Sequence, residues 1–97
     1  MATYVTLYKF TEQGIRTVNE TAKRLEGVKK AAAQAGITIK DAYWLLGEYD
    51  LVVISEAPDD VTGTAFALSV AKLGNVRGQT LRAFPPAEME KILAKVS

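Results

Sequence analysis

The sequence predicts an α+β domain with one four-stranded antiparallel sheet, its elements in the order β-α-β-β-α-β, followed by a further helix. Four segments have the alternating or continuously apolar character of strands, and the long segments between them have helical periodicity. The changes between them fall at glycines, prolines or helix-capping residues. This order is the split βαβ arrangement of ferredoxin-like folds. Right-handed crossovers then place the first and third strands at the centre and both main helices on one face.

The composition narrows the chemistry available to the chain. Over 97 residues, 12 basic and 11 acidic side chains give a net charge of +1, so no overall field favours nucleic acid or an anionic membrane as a partner. The absence of cysteine and histidine excludes disulfides, Ser-His and Cys-His mechanisms, and most metal sites. We therefore expect neither a metal nor a cofactor.

Signals for membranes or secretion are also missing. There is no run of about 18 apolar residues, and Met1 leads into a strand pattern without a signal peptide. We expect a single cytoplasmic domain, residues 1–97, that has no membrane partner.

Two periodicities define the first strand and the first helix. Residues 3–10 alternate, although neither side of this strand is cleanly polar. After a turn in which Thr11 can cap the helix, apolar residues recur every three or four positions as far as Gly36. They predict one amphipathic helix whose buried stripe consists of Ile15, Val18, Ala22, Leu25, Val28 and Ala32.

The second and third strands form a predicted hairpin. Thr38–Leu46 and Asp50–Ala57 flank Gly47-Glu48, which fits a two-residue turn with glycine at the position of positive φ. Leu51–Ser55 has the composition of a strand buried on both faces, which predicts a central place in the sheet.

The rest of the chain supplies a helix, a strand and a last helix. Pro58 ends the third strand, and a carboxylate of Asp59-Asp60 can cap a helix that runs to Leu73. This helix is apolar nearly all round, so we expect it to be covered on more than one side. A fourth strand, residues 76–84, precedes a short helix that starts near Pro86.

The hairpin register predicts which side chains share a face, because directly paired residues point to the same side. A turn at Gly47-Glu48 pairs Tyr43 with Val52 and Trp44 with Leu51. The helix-packed side is then expected to contain Ala42, Trp44, Leu46, Leu51, Val53, Val5, Leu7, Leu81 and Ala83. The uncovered side is expected to contain Tyr4, Thr6, Tyr8, Phe10, Asp41, Tyr43, Leu45, Asp50, Val52, Ile54, Glu56, Val76, Thr80, Arg82 and Phe84.

The uncovered side is too apolar for a water-facing sheet, which indicates an interface or a ligand groove. The simplest cover is a second copy packed sheet to sheet, giving a homodimer or higher homo-oligomer with a barrel-like interior. Charged residues inside it would need partners or water. A register slip of one residue would exchange the two faces.

Two carboxylates on that side are candidate catalytic groups. Asp50 or Glu56 could act as an acid or base with a raised pKa in a sheltered cavity. In the alternative interpretation Asp50 caps the turn or accepts from backbone N–H groups, and Glu56 pairs with Arg82 or Arg77.

The remaining ligand-binding candidates are Tyr8, Tyr43, Tyr49 and Arg82. The tyrosines could orient a small molecule through their hydroxyls, or they could simply pack in an interface. We interpret Trp44 as a core residue. The basic residues of the first helix, Lys23, Arg24, Lys29 and Lys30, are interpreted as its solvated face.

Nucleic-acid binding is not expected. RNA-binding domains of this topology have an aromatic consensus on the third strand, where this chain has Leu51-Val52-Val53-Ile54.

Several segments, in order along most of the chain, resemble the GYD domain family. They are Tyr4-Val5-Thr6-Leu7, Phe10 to Arg16, Gly47-Glu48-Tyr49-Asp50, Glu56 to Asp60, Gly74 to Arg77 and Thr80 to Phe84. The name-giving motif is present as Gly47, Tyr49 and Asp50, with Glu48 inserted. The resemblance implies a ferredoxin-like domain similar to the dimeric α/β-barrel group, and it assigns no catalytic residue. That wider group includes cofactor-independent enzymes and ligand-sensing domains, a kinship of fold alone.

Three functions remain open. The first is an oligomeric module that binds a small ligand at the sheet-to-sheet interface. The second is a cofactor-independent isomerase or monooxygenase that uses Asp50 or Glu56 as its base, with a tyrosine or Arg82 orienting the substrate. The third is a structural assembly module built through the second helix and the C-terminal helix.

Overall fold

The sheet has the predicted strand order. The computed structural model describes residues 1–97, and its four strands form one antiparallel sheet in the order β2-β3-β1-β4. The ferredoxin-like α+β prediction is thereby confirmed, with β1 and β3 at the centre. The strands are β1 (Ala2–Phe10), β2 (Thr38–Trp44), β3 (Leu51–Ala57) and β4 (Val76–Ala83). The helices are α1 (Glu12–Arg16), α2 (Thr21–Gln34), α3 (Asp60–Lys72) and α4 (Pro86–Leu93).

The first helix is broken, which corrects the prediction of one continuous helix. A 3₁₀ turn at Val18–Glu20 separates α1 from α2. The break follows from a run of β-branched and polar residues with weak helix propensity, which begins at Thr17. Thr11 caps α1 as predicted, because its Oγ1 accepts the N–H of Gly14 at 3.0 Å. At the other end, Gly36 stops α2 with a φ of 78°.

The hairpin has the predicted register but a longer loop. Trp44 pairs with Leu51 and Tyr43 with Val52. The Leu45 N–H donates to the Asp50 carbonyl at 2.8 Å, and four residues, 46–49, then form the loop. The predicted two-residue turn is therefore wrong, although Gly47 does have a positive φ of 134°. A bulge between Ile39 and Asp41, which the sequence did not reveal, shifts the start of β2 by one residue.

The faces of the two other strands are reversed relative to the prediction. Tyr4 pairs with Ser55, Thr6 with Val53 and Tyr8 with Leu51. On the other side of β1, Arg82 pairs with Tyr4 and Thr80 with Thr6. The helix side thus contains Tyr4, Thr6, Tyr8, Thr80 and Arg82, whereas the uncovered side contains Val5, Leu7, Leu81 and Ala83. Phe10 and Val76, a further pair of the β1–β4 ladder, also change sides.

The reversal has a physical cause. Both faces of β1 are apolar, so its alternation alone could not decide which side the helices cover. The tyrosines on the helix side make contacts that Val5 and Leu7 could not make. The Tyr4 hydroxyl donates to Asp60 at the start of α3. The Tyr8 ring packs directly on Gly78, in the space that a side chain at that position would occupy.

The core between sheet and helices is thin. Its centre is a cluster of Tyr4, Ala32, Ile37 and Ala57, and no large side chain is fully buried. Trp44, expected in the core, is 45% exposed, and its Nε1–H donates to Thr21 Oγ1 at the start of α2. Leu46, expected on the helix-packed side, is fully exposed in the hairpin loop. None of the helices combines the length and apolar character that a membrane crossing requires.

Candidate functional site

The six predicted site residues do not form one cluster. Tyr8 and Arg82 lie on the helix side of the sheet, and Glu56 and Tyr43 lie on the uncovered side. Tyr49 is the last residue of the hairpin loop, and Asp50 lies between that loop and β3.

Asp50 bonds to the backbone at the end of β1. Its Oδ2 accepts the N–H of Phe10 at 2.9 Å, while its own N–H donates to the Tyr8 carbonyl at 2.8 Å. These bonds hold the loop against the last residues of β1. The contacts of Asp50 are thus those of a residue that fastens the hairpin loop to the end of the central strand β1.

Tyr49 lies beside a pair of opposite charges. The ammonium of Lys9 is 5.3 Å from the centroid of the Tyr49 ring and 3.8 Å from the Glu48 carboxylate. All three side chains lie at the hairpin end of the sheet, in contact with solvent. A cation over a ring that is in contact with solvent contributes about 0.5–1 kcal/mol, so this group stabilises the loop modestly.

The predicted pairing of Glu56 with Arg82 or Arg77 is wrong. Glu56 faces Lys40 at 4.0 Å. Arg82 pairs with Glu88 of α4 at 3.5 Å, and its guanidinium carbon lies 4.9 Å from the centroid of the Phe84 ring. Glu56 and Arg82 cannot meet, because they project from opposite faces of the sheet.

We call the uncovered side of the sheet the open face. Its centre is a contiguous apolar surface, framed by Tyr43 on β2 and Leu81 on β4, which are 57% and 43% exposed. The apolar residues of the open face are Val5, Leu7, Tyr43, Val52, Ile54, Leu81 and Ala83. Neither α2 nor α3 covers this surface, because both line the cavity on the other side of the sheet, so a contiguous apolar patch meets water.

Charges of the open face lie at opposite corners. Asp41 and Glu56 are on the two strands of the hairpin, towards the start of β1, which pairs there with the end of β3. Lys9 and Arg77 pair across β1 and β4 at the other end of the sheet. Each corner also contains an opposite charge, because Lys40 lies 4.0 Å from Glu56 and Glu48 lies 3.8 Å from Lys9. We call the corner with Asp41 and Glu56 the acidic corner and the corner with Lys9 and Arg77 the basic corner.

A cavity occupies the other side of the sheet. Its volume is about 620 Å³, and its walls are the inner sides of α2 and α3 and the helix side of the sheet. Of the 25 residues that line it, 15 are hydrophobic and Arg24 alone is charged. We call this space the interhelical cavity.

Two tyrosines on the cavity wall have altered acidities. Burial raises the pKa of the Tyr8 phenol, because its charged form would lose solvation. The hydrogen bond to the Asp60 carboxylate raises the pKa of Tyr4, since that bond holds the phenolic proton. Both phenols therefore stay protonated at physiological pH.

Arg24 is the residue that the sequence interpretation missed, because it was grouped with the solvated cations of the first helix. It is three residues from Thr21 and Gly27, four from Val28 and seven from Ala31, the spacing of one helix face. All four of these neighbours line the cavity with it. That spacing was the available signal.

Comparison with known proteins agrees with the fold and with the resemblance of the motifs. The sequence model of the GYD domain family matches residues 4–93. The chain belongs to the GYD domain family. A Thermus thermophilus protein named "Glutamine synthetase and cystathionine beta-lyase binding protein" is 31% identical to this GYD domain over 90 residues, which are 92% of this chain and 95% of that protein.

Solved structures resemble this GYD domain in fold. MtbAldR aligns with 87% of this chain at 12% identity, with a TM-score of 0.67. This chain spans only 53% of the length of MtbAldR. TTHA0845 from Thermus thermophilus aligns with a TM-score of 0.57 at 23% identity, covering 88% of this chain and 95% of that protein. At these identities the likeness extends to the fold alone.

Proposed function

We propose that this GYD domain is a self-associating binding module in which a second copy of the chain covers the open face. The observation behind the proposal is the contiguous apolar centre of that face. In the structure, β1 and β4 place Val5, Leu7, Leu81 and Ala83 on the open face, where the sequence predicted tyrosines and threonines. A surface of this kind, left in water, favours association.

The charges on the open face support a second copy as the partner. Consider a two-fold axis that lies in the interface and runs obliquely across the strands from Tyr43 to Leu81. Rotation about it would bring the basic corner of each copy over the acidic corner of the other. Lys9 and Arg77 of one subunit would then face Asp41 and Glu56 of its partner, twice. Such self-complementarity is what a two-fold interface requires.

A catalytic role for Asp50 or Glu56 has less support. The Asp50 carboxylate accepts the Phe10 N–H, and neither Asp50 nor Glu56 lines the interhelical cavity. A ligand between two sheets likewise remains a prediction, whereas the interhelical cavity lies on the other side of the sheet.

Protein partners other than itself are part of the proposal. The support is the name of the Thermus thermophilus relative, which describes binding to two enzymes. The cytoplasmic location expected from the sequence also belongs to this proposal. Cell fractionation would test the location, and affinity capture with purified enzymes would test the partners.

The test of self-association is a charge placed in the apolar centre. We expect sedimentation equilibrium at micromolar concentration to give a dimer for the natural chain and a folded monomer for Ile54→Glu. Burying an unpaired carboxylate would cost several kcal/mol per subunit. Leu68→Glu is the matched control, since Leu68 is 65% exposed on α3, away from the open face. A natural chain that is monomeric at that concentration would refute the proposal.

The proposed axis makes a separate prediction. Glu56→Lys should weaken the dimer about tenfold or more. In each of the two symmetric contacts it would place a lysine opposite Lys9 and Arg77 of the other subunit, so that like charges repel. The double variant Glu56→Lys with Arg77→Glu should recover most of the affinity at low salt. Dimerisation constants measured at two ionic strengths check this. If the second change worsens the defect, the two corners do not meet.

A further inference from the structure

The interhelical cavity has the size and lining of a small-molecule site. Its volume of about 620 Å³ falls within the range of about 300–1,000 Å³ that holds drug-sized ligands. The walls between the helices are apolar, with Leu25 and Val28 on α2 and Phe66 and Val70 on α3. Leu51 and Val53 of β3 form part of the floor. This lining suits an apolar body.

The charge of the cavity lies at one end. The Arg24 guanidinium donates to Thr17 O and Oγ1 at 3.0 and 2.9 Å, and to Gly14 O at 3.2 Å. All three acceptors are neutral oxygens, and no carboxylate lies within 4.0 Å of it. An arginine has five N–H donors, so two remain for a ligand. A half-buried cation beside an apolar wall binds an anion more strongly than one in water.

At the opposite end no charged side chain lines the cavity, although the Arg82 guanidinium carbon lies 5.7 Å from the centroid of the Tyr4 ring outside it. This end is lined by Ala57, Gly63 and the ring of Tyr4, whose hydroxyl is already bonded to Asp60. A ligand with one anionic group would therefore have a single orientation, with its anion at Arg24 and its apolar end towards Tyr4.

We propose that the interhelical cavity binds a small monocarboxylate with an apolar body, such as a medium-chain fatty acid. Its carboxylate pairs with the two remaining N–H groups of Arg24, because the planar guanidinium matches a carboxylate in two parallel hydrogen bonds. Its chain lies between Val28 and Phe66, over Leu51 and Val53. This site is on the opposite side of the sheet from the open face, so it does not depend on self-association.

The test compares decanoate with 1-decanol, which has the same chain and no charge. We expect titration calorimetry on the full chain to show tighter binding of decanoate. Arg24→Gln should lower decanoate affinity by about tenfold to a hundredfold, the usual effect of a hydrogen bond to a charged group. It should leave decanol affinity unchanged. Arg16→Gln, which removes an exposed guanidinium on α1, should change neither affinity.

A second variant and a second measurement locate the site. Val28→Trp, which fills the cavity from α2, should abolish binding of both ligands while the circular dichroism spectrum stays native. Decanoate should shift the amide resonances of Val28, Val53 and Phe66. The proposal is overturned if the natural chain does not bind decanoate or binds both ligands equally. It also fails if Arg24→Gln leaves decanoate affinity unchanged, or if the shifts fall on Val52 and Leu81 of the open face.

Discussion

Gly14 and Gly27, in neighbouring helices, have opposite surroundings. A Cβ added at Gly14 would lie 1.9 Å from the carbonyl oxygen of Asn75, whereas one at Gly27 would meet nothing within 4 Å. We predict that Gly14→Ala lowers the free energy of unfolding by about 1–3 kcal/mol, because backbone must move. Gly27→Ala should raise it by about 0.5–1 kcal/mol through helix propensity. Urea denaturation at one fixed protein concentration measures both, and equal stabilities would contradict the close packing of α1 on Asn75.

Asp59 makes the stability of the start of α3 depend on pH. Its Oδ1 accepts the Thr62 N–H at 2.8 Å, and this bond lowers the pKa of the carboxyl below its ordinary value. A lowered native pKa stabilises the fold above the unfolded-state value, and this stabilisation is lost as the pH falls through the native one. Asn can still cap the helix but does not titrate.

The pH prediction follows from that comparison. The stability advantage of the natural chain over Asp59→Asn should be constant near neutral pH and shrink below about pH 5, where unfolded Asp begins to titrate. Urea unfolding at a series of pH values measures this difference. Glu90→Gln, on the exposed side of α4, is the control for a general loss of negative charge. A difference that does not change down to about pH 2 would show that Asp59 does not cap α3 as a carboxylate.

At the scale of elements, local signals predicted the pieces and their order. Gly36 and Pro58 end α2 and β3 where the sequence indicated, because their backbone restrictions act whatever the tertiary context. The hairpin register was also predictable, since it depends on loop residues close in sequence. The break at Thr17 was missed because the periodicity of the apolar residues continues through it while the helix propensity does not.

The faces of β1 and β4 could not be predicted in this way. Their pairing joins residues far apart in sequence, and Tyr4 is as compatible with a core as Val5. What decides between them is tertiary, namely the bond from Tyr4 to Asp60 and the contact of Tyr8 with Gly78. The same limit explains the candidate site. The sequence analysis places Glu56 and Arg82 together only because its register puts both side chains on the same face of the sheet.

At the scale of the whole molecule, the domain is flat. Its extents are 50 × 31 × 18 Å, and its radius of gyration is 14.5 Å, against about 13 Å for a typical domain of 100 residues. Only 10 of 97 residues are buried, which is a small core for this length. One layer of helices on one layer of sheet leaves half of the sheet surface without cover. A second copy on the open face would supply the missing layer.

The place of β1 in the sheet has a consequence for synthesis. Of the four strands of the sheet it leaves the ribosome first, and its partners are residues 51–57 and 76–83, which are made much later. Until then its alternating tyrosines and aliphatic residues have no partner strand. The nascent sheet must therefore assemble late, through contacts distant in sequence, and this order of events slows folding and lengthens exposure to aggregation.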